Sequence, residues 1–178
     1  MKTNPLKNKL ALLVGLSIVA LFGIIAYAAT VNVVAVGTIP HSELLDAPAT
    51  VTIRTVSFAP GEVGAWHYHP GSVFNIVTRG TLNVEDGCGE EKVFTTGQAF
   101  EEGGPVHRPK NLGTEEALVY QTFIVPAGSP LAVNIPGNER RCGPPRGVNE
   151  CQNGWINFTH PRTFSNQGDC IQYINTGK

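Results

Sequence analysis

The sequence predicts an all-β fold, either a sandwich or a barrel, and two observations carry this prediction. Short runs rich in Val, Ile, Thr and aromatic residues recur along the chain, and the turns between them draw on 20 Gly and 13 Pro. No amphipathic helical pattern of useful length interrupts these runs. The 178 residues, 42% of them hydrophobic, suit one domain with its own core once any targeting segment is removed.

The charge balance bears on the partners of this protein. Charged residues make up 15% of the chain, the net charge is -1, and no stripe of Lys and Arg is present. Proteins that bind nucleic acid usually carry such a stripe, because they neutralise phosphates. We therefore expect no nucleic-acid partner.

The first 28 residues have the pattern of a secretory signal peptide. Lysines precede an apolar run over residues 10–25, and Ala26-Tyr27-Ala28 places small residues where a signal peptidase cleaves. We expect cleavage after Ala28 and export of the folded part to the periplasm or the medium. The alternative is an uncleaved membrane anchor, because the apolar run approaches the roughly 20 residues that span a bilayer. Both alternatives place the folded part outside the cytoplasm.

The cysteines agree with export. Four are present, Cys88, Cys142, Cys151 and Cys170, and an even number in an exported chain indicates disulfides. Zinc is a poorer alternative, because no Cys-x-x-Cys pair occurs. Sequence alone does not choose among the three possible pairings. Pairing Cys142 with Cys151 would close a short loop, and Cys88 with Cys170 would tie the tail to a hairpin; we prefer this pairing.

The chain divides into an arm, a barrel and an extension. Residues 29–49 form an N-terminal arm, in which the β-branched run 31–36 suits an edge strand and residues 38–48 suit a connection. Residues 50–128 form the barrel. Its predicted strands, each bounded by turn residues, are 50–58, 65–69, 73–78, 81–85, 92–95, 98–100, 106–108 and 117–125.

The composition changes after the barrel. Residues 129–178 are rich in Gly, Pro and Asn and carry three of the four cysteines. Their apolar pieces are short, mainly residues 131–135 and 171–174. We expect a disulfide-linked extension that packs on the barrel and can add a strand to it.

Three histidines are the candidate metal ligands. His67 and His69 are two residues apart, so in a strand their side chains lie on the same face. Such a pair alone is more often exposed to solvent or hydrogen-bonded. Further along, Gly103-Gly104-Pro105 leads to His107, which adds a third imidazole. Imidazole is a general ligand of divalent transition metals.

These stretches resemble the paired sequence motifs of the cupin superfamily. The family's first motif has Gly, then His-x-His, Glu and Gly at fixed spacings, and the second has Gly, Pro-x-Gly, His and Asn. The residues in register are Gly61, His67, His69, Gly80, Gly104, His107 and Asn111. The resemblance covers roughly residues 50–126 and implies a double-sheet jelly-roll barrel with one divalent metal ion, Fe, Zn, Mn, Cu or Ni. It also implies that a homodimer can form through the sheet edges.

The chain departs from the family pattern at the metal-binding glutamate. Val73 stands at that position, and Phe74 stands there under the longer spacing. Neither can bind a metal, so the resemblance implies a ligand set of His67, His69 and His107 alone. Glu101 and Glu102 precede a turn, and we expect them to lie in solvent; one of them could replace the lost glutamate only if the loop folds inward.

The resemblance leaves two functions open. Three-histidine cupin sites resemble those of thiol and diketone dioxygenases, which implies a metal-dependent oxidoreductase acting on a small organic molecule. The alternative is a non-catalytic extracytoplasmic protein that binds a metal or a small molecule. Asn75 and Gln121 are candidate pocket residues, because Asn75 shares the inward face of its strand and Gln121 interrupts an apolar run. We assign no catalytic residue.

Overall fold

The computed structural model describes residues 29–137 and 139–178, so the predicted signal peptide lies outside the described residues. Ten strands, two short α-helices and one 3₁₀ turn follow one another within these described residues. They are β1 (Thr30–Ser42), β2 (Ala47–Phe58), β3 (His67–Tyr68), β4 (Ser72–Arg79), β5 (Thr81–Asp86), β6 (Glu91–Thr95), β7 (Ala99–Glu102), β8 (His107–Lys110), β9 (Ala117–Pro126), β10 (Val133–Asn134), α1 (Val148–Gly154), the 3₁₀ turn (Trp155–Asn157) and α2 (Gln167–Thr176).

The strands form two five-stranded sheets. One sheet has the order β1-β2-β9-β4-β7 and the other has the order β10-β3-β8-β5-β6. All of the pairings within them are antiparallel. The prediction of an all-β fold is confirmed.

The first strand is longer than predicted. β1 pairs with β2 from the partners Thr30 and Ser57 to the partners Ser42 and Ala47. Part of the segment predicted as a connection, residues 38–48, is therefore strand. The reason is that β-branched residues continue through Ile39, and all of them except Val34, at a register shift, find a partner on β2. β1 is the outermost strand of its sheet.

The core lies between the two sheets and is supplied by alternate residues of each strand. In β9 the odd-numbered residues are buried, from Ala117 to Val125, and the even-numbered residues are more exposed. One apolar cluster fills one end of the space between the sheets, and it contains Val56, Phe58, Val77, Leu82, Ala117 and Val119. A smaller cluster of Val73, Phe123 and Val125 fills another part. These clusters fix the positions of the inward-facing polar residues on the same strands.

The C-terminal extension adds one short strand and two helices. β10 pairs with β3, as the sequence allowed. Residues 171–174, one of the short apolar pieces, lie in α2. This helix begins where the Asn166 side chain accepts a hydrogen bond from the backbone N–H of Asp169 (2.9 Å), and it ends at Gly177 with φ +71°. No helix in residues 29–137 and 139–178 is both long enough and apolar enough to span a bilayer.

The preferred disulfide pairing was wrong. The structure pairs Cys88 with Cys142 and Cys151 with Cys170. The first bond forms because the β5–β6 loop lies against the start of the extension: a Cβ atom on Gly87 would stand 2.1 Å from the carbonyl oxygen of Arg141. The second bond forms because α1 and α2 pack together, and both of its cysteines are fully buried there.

Candidate metal centre

The three predicted histidines come together between adjacent strands of one sheet. His67 in β3 is the direct antiparallel partner of His107 in β8. His69 follows β3, and its backbone N–H donates to the carbonyl oxygen of Gly103 (3.0 Å). The ring centroids are 4.9 Å apart for His67 and His69, 4.5 Å for His67 and His107, and 5.1 Å for His69 and His107.

Backbone carbonyl groups fix the orientation of all three rings. Nδ1 of His67 lies 2.9 Å from the carbonyl oxygen of Ala65. Nδ1 of His69 lies 2.7 Å from the carbonyl oxygen of Leu131, and Nδ1 of His107 lies 2.8 Å from that of Pro105. A carbonyl oxygen can only accept, so each Nδ1 carries the proton. Each Nε2 of a neutral ring then has its lone pair free for a metal ion.

The ligand atoms of these histidines form a compact group. One nitrogen from each ring lies within 4.8 Å of the other two, and no other group of His, Cys, Asp and Glu among the described residues satisfies the same condition. His69 and His107 are buried, whereas His67 is partly accessible. The arrangement provides three imidazole donors with access from one side.

Glu102 brings a carboxylate to the same place, contrary to our expectation that it lies in solvent. Its side chain is 8% exposed, with one oxygen 3.4 Å from Nε2 of His107 and the other 3.7 Å from Nε2 of His69. Two donors bound to one ion at about 2.1 Å lie about 3.0–3.4 Å apart. Glu102 is therefore close to the position of a fourth ligand.

The register of two strands explains why Glu102 faces inward. β7 continues two residues beyond Phe100, where the predicted strand ended, and in the ladder with β4 Glu102 is the direct partner of Val73. Direct partners in an antiparallel pair project to the same face. A carboxylate from the neighbouring strand thus lies beside position 73, where the family has its glutamate.

Burial and neighbouring charges set the protonation states in this cluster. Burial, the larger effect, and proximity to His107 together lower the pKa of His67 to about 4. Burial also lowers the pKa of His107, against the opposing effect of Glu102. Burial alone would raise the pKa of Glu102, but the surrounding histidines outweigh it and lower that pKa. These shifts favour neutral rings at His67 and His107 and an ionised carboxylate at Glu102.

Two nitrogen atoms of the cluster have no hydrogen-bond partner. Nε2 of His69 and Nε2 of His107 are buried and unsatisfied, and both face the oxygens of Glu102. An ionised carboxylate has no hydrogen to donate, so lone pairs face lone pairs. Buried polar atoms without partners are rare in folded proteins and need an explanation. A cation among them would satisfy every one of these atoms.

A chain of hydrogen bonds supports Glu102 from behind. Asn75 Nδ2 donates to Glu102 (3.1 Å), Gln121 Nε2 donates to Asn75 Oδ1 (2.8 Å), and Arg54 Nε donates to Gln121 Oε1 (2.8 Å). Arg54, Gln121 and Asn75 form one row across β2, β9 and β4. The two ends fix the direction of the chain, because a guanidinium only donates and a carboxylate only accepts.

The predicted pocket residues, Asn75 and Gln121, lie in this row. Their exposed fractions are 1% and 8%, and both line a cavity of ≈ 210 Å³ between the sheets, here called the inner cavity. His67, Glu102 and Arg54 line the same cavity. In the structure Asn75 therefore contacts the candidate metal ligand Glu102 directly, and Gln121 contacts Asn75.

A second cavity approaches the cluster from the other side. This outer cavity measures ≈ 380 Å³ and reaches Glu102 and His107. The C-terminal extension supplies part of its wall, including Pro144, Arg146 and Phe158. The Cys88–Cys142 disulfide, whose Cys88 also lines this cavity, fixes the start of that wall to the barrel.

Asn111, the last motif residue, holds the strands that carry the histidines. Asn111 is completely buried, and its side chain donates to the carbonyl oxygens of Phe58 (2.9 Å) and Glu115 (2.8 Å). Its backbone carbonyl oxygen accepts from the N–H of Gly61, and its backbone N–H donates to the carbonyl oxygen of Glu62, both at 2.8 Å. Asn111 therefore fastens the end of β8 to the turn that precedes β3.

Comparison with known proteins agrees with this architecture. A family model described as the cupin domain matches residues 54–125. The barrel is a cupin domain. The resemblance inferred from the two motifs is thereby confirmed, and the matched residues contain the three histidines and Glu102. Comparison with curated protein sequences finds no significant match.

Several solved structures are similar to this chain. A cupin-like protein from Thermotoga maritima is 22% identical over 60% of this chain and 75% of its own, with a TM-score of 0.44. A cupin domain from Bordetella pertussis is 20% identical over 57% of this chain and 98% of its own, also with a TM-score of 0.44. An oxalate oxidase in complex with the substrate analogue glycolate is 26% identical over 48% of this chain, with a TM-score of 0.42. The match spans 46% of that oxidase.

Sequence reasoning missed two residues of the site, Glu102 and Arg54. The period of two in β7 could have indicated Glu102, because Phe100 and Glu102 are two residues apart and Phe100 is apolar. For Arg54, the signal was a charged residue at an inward position of the β-branched run 50–58. Both signals become informative only when the register of the neighbouring strands is known.

Proposed function

We propose that the cupin barrel binds one divalent transition-metal ion through Nε2 of His67, His69 and His107 and the carboxylate of Glu102. The observation that carries this proposal is the convergence of unsatisfied, buried lone pairs on one another. Two imidazole nitrogens and a carboxylate face one another at 3.4 and 3.7 Å. Each ring is also held in the tautomer that suits a ligand.

A proton is a weaker explanation for this arrangement. A single proton on His69 or His107 would pair that ring with Glu102 and leave the other Nε2 buried without a partner. Protonating both rings would place two cations side by side in a site where burial already disfavours charge. A divalent ion satisfies all of the donors and balances the carboxylate.

The donor set indicates which ions suit the site. Three imidazoles and one carboxylate are typical of Fe, Zn, Mn, Cu and Ni rather than of Mg or Ca. His67, His69, His107 and Glu102 would hold such an ion and would leave room on it for water or a substrate. When bound, such an ion acts as a Lewis acid and, if it is redox-active, as an electron conduit.

For the activity we propose a dioxygenase-like oxidation of a small organic molecule. Two cavities adjoin the metal ligands and give a substrate room beside them. In the inner cavity no Ser, Cys or Lys side chain stands among the described lining residues. The metal ligands are thus the chemically reactive groups there, and Asn75 and Gln121 orient rather than attack.

A non-catalytic binding role is the second candidate. We also propose that residues 1–28 direct export, and the two disulfides support this because such bonds persist in oxidising compartments. An oxidising compartment retains zinc or copper more readily than labile ferrous iron. That consideration favours a protein that holds its ion without turnover.

Metal analysis of the chain, expressed with its own first 28 residues and purified without chelators, tests the binding proposal. We expect about one ion per chain in the wild type and its loss on His67→Ala. Oxygen uptake with thiols, diketones and phenols then separates the two roles. Substrate-dependent uptake would exclude the binder, whereas a bound ion without uptake on any of these classes would exclude the dioxygenase. A metal-free wild type would refute both.

A further inference from the structure

The inner cavity contains one arginine, Arg54, that makes no direct ion pair with a described carboxylate. Arg54 lines this cavity together with His67 and Glu102, and the other lining residues are neutral. Among residues 29–137 and 139–178, no carboxylate lies within ion-pair distance of its guanidinium. Two amides, those of Gln121 and Asn75, stand between it and Glu102.

Two contacts hold the guanidinium in place. Nε donates to Gln121 Oε1 at 2.8 Å, and the guanidinium carbon lies 4.4 Å from the centroid of the Phe123 ring. Since Nε uses one of the five N–H bonds of the side chain, the two terminal amino groups retain four. This is the fork that binds a carboxylate through two parallel hydrogen bonds.

The outer cavity offers no comparable group. Its cations are each paired with a carboxylate that also lines it: Lys92 lies 3.7 Å from Glu90, and Arg146 lies 2.9 Å from Glu150. Carboxylates outnumber cations among its lining residues. An anion would therefore be attracted to the inner cavity rather than to the outer one.

We propose that the inner cavity binds a small carboxylic acid, with its carboxylate on the guanidinium of Arg54. The cavity, at ≈ 210 Å³, is smaller than the roughly 300–1,000 Å³ of sites for drug-sized ligands, which limits the ligand to a few carbon atoms. One feature of this proposal rests on the proposed metal centre. We expect the acid to carry a second oxygen atom, which faces the metal ligands His67 and Glu102. Malonate and glycolate have this form.

Calorimetric titration of the full chain tests the proposal. The chain is loaded with Zn²⁺, which is redox-inactive and so allows binding without turnover, and malonate and glycolate are the probes. We expect Arg54→Gln to weaken malonate binding at least about tenfold, as for a lost charge-assisted pair of hydrogen bonds. Arg54→Lys keeps the charge and loses the fork, so its malonate affinity should lie between those of the wild type and Arg54→Gln. Arg146→Gln in the outer cavity is the matched control and should bind like the wild type.

The outcomes separate the two proposals. Zinc bound at one ion per chain with malonate affinity equal in the wild type and Arg54→Gln would overturn the carboxylate site and leave the metal centre intact. A loss on Arg146→Gln, or glycolamide binding as tightly as glycolate, would overturn it as well. A wild-type chain that takes up no zinc would refute the proposed function instead. If that metal-free chain still binds malonate, and Arg54→Gln weakens this binding, the carboxylate site is upheld. Because Arg54 packs on Phe123, thermal unfolding of each variant verifies its fold, and Arg54→Lys carries the test if Arg54→Gln unfolds.

Discussion

Replacing Glu102 with Gln should have opposite effects on the metal-free and the metal-bound protein. In the metal-free protein the new amide keeps one oxygen as the acceptor for Asn75 Nδ2. Its amide nitrogen then takes the position of the other oxygen, 3.4 Å from Nε2 of His107, and can donate to that unpartnered atom. A net hydrogen bond contributes about 1 kcal/mol, so we expect metal-free Glu102→Gln to be more stable than the metal-free wild type by about 1 kcal/mol.

The metal-bound protein should lose most of its additional stability. The substitution removes a charged ligand, and even changes to groups behind the ligands lower metal affinity about 10–100-fold. We therefore expect a loss of at least about 100-fold, or about 2.7 kcal/mol. At a metal concentration about 1,000 times the wild-type Kd, binding stabilises the wild type by about 4.1 kcal/mol. A variant with about 100-fold weaker affinity would gain about 1.4 kcal/mol at the same concentration.

Urea unfolding with and without metal measures both effects. Glu101→Gln is the matched control, because Glu101 is exposed and pairs with Phe74 on the outer face of the sheet. Glu101→Gln should leave both the stability of the metal-free protein and the metal affinity unchanged. The reasoning fails if Glu102→Gln retains wild-type metal affinity or if Glu101→Gln loses as much. It also fails if the metal-free Glu102→Gln protein is strongly destabilised, because Glu102 would then be paired with a protonated histidine.

Further predictions concern pH, covalent structure and processing. Since the pKa of His67 in the folded protein, about 4, lies below the unfolded value of about 6.5, the unfolded state binds a proton first as the pH falls. The metal-free protein should lose stability between about pH 6.5 and 4, by up to about 1.4 kcal/mol per pH unit for this group. Urea unfolding across this range should show a shallower slope for His67→Gln than for the wild type, whereas the exposed His41→Gln should match the wild type. A non-reduced digest analysed by mass spectrometry should contain a peptide pair linked through Cys88 and Cys142, and a Cys142–Cys151 pair would contradict the packing described above. Mass spectrometry of the exported protein should find the cleavage after Ala28, and an intact N-terminus in a membrane fraction would indicate the anchor.

The sequence by itself determined the strand content and the histidine group. A period of two places His67 and His69 on one face whatever the rest of the fold does, because it follows from strand geometry alone. His107 required only a motif in register. The prediction of a C-terminal extension with disulfides also came from composition and cysteine count, which are properties of the chain itself.

The tertiary structure decided the fourth candidate ligand, the unpaired cation and the disulfide partners. Glu102 stands where the family glutamate is missing because β7 lies beside β4 with Glu102 opposite Val73, a register that no local pattern specifies. Arg54 reaches the same cavity because β2, β9 and β4 align three polar residues across the sheet. Cys88 meets Cys142 because a loop of the barrel rests against the extension. Local geometry follows from neighbouring residues, whereas contacts between distant segments depend on how whole strands pair and pack.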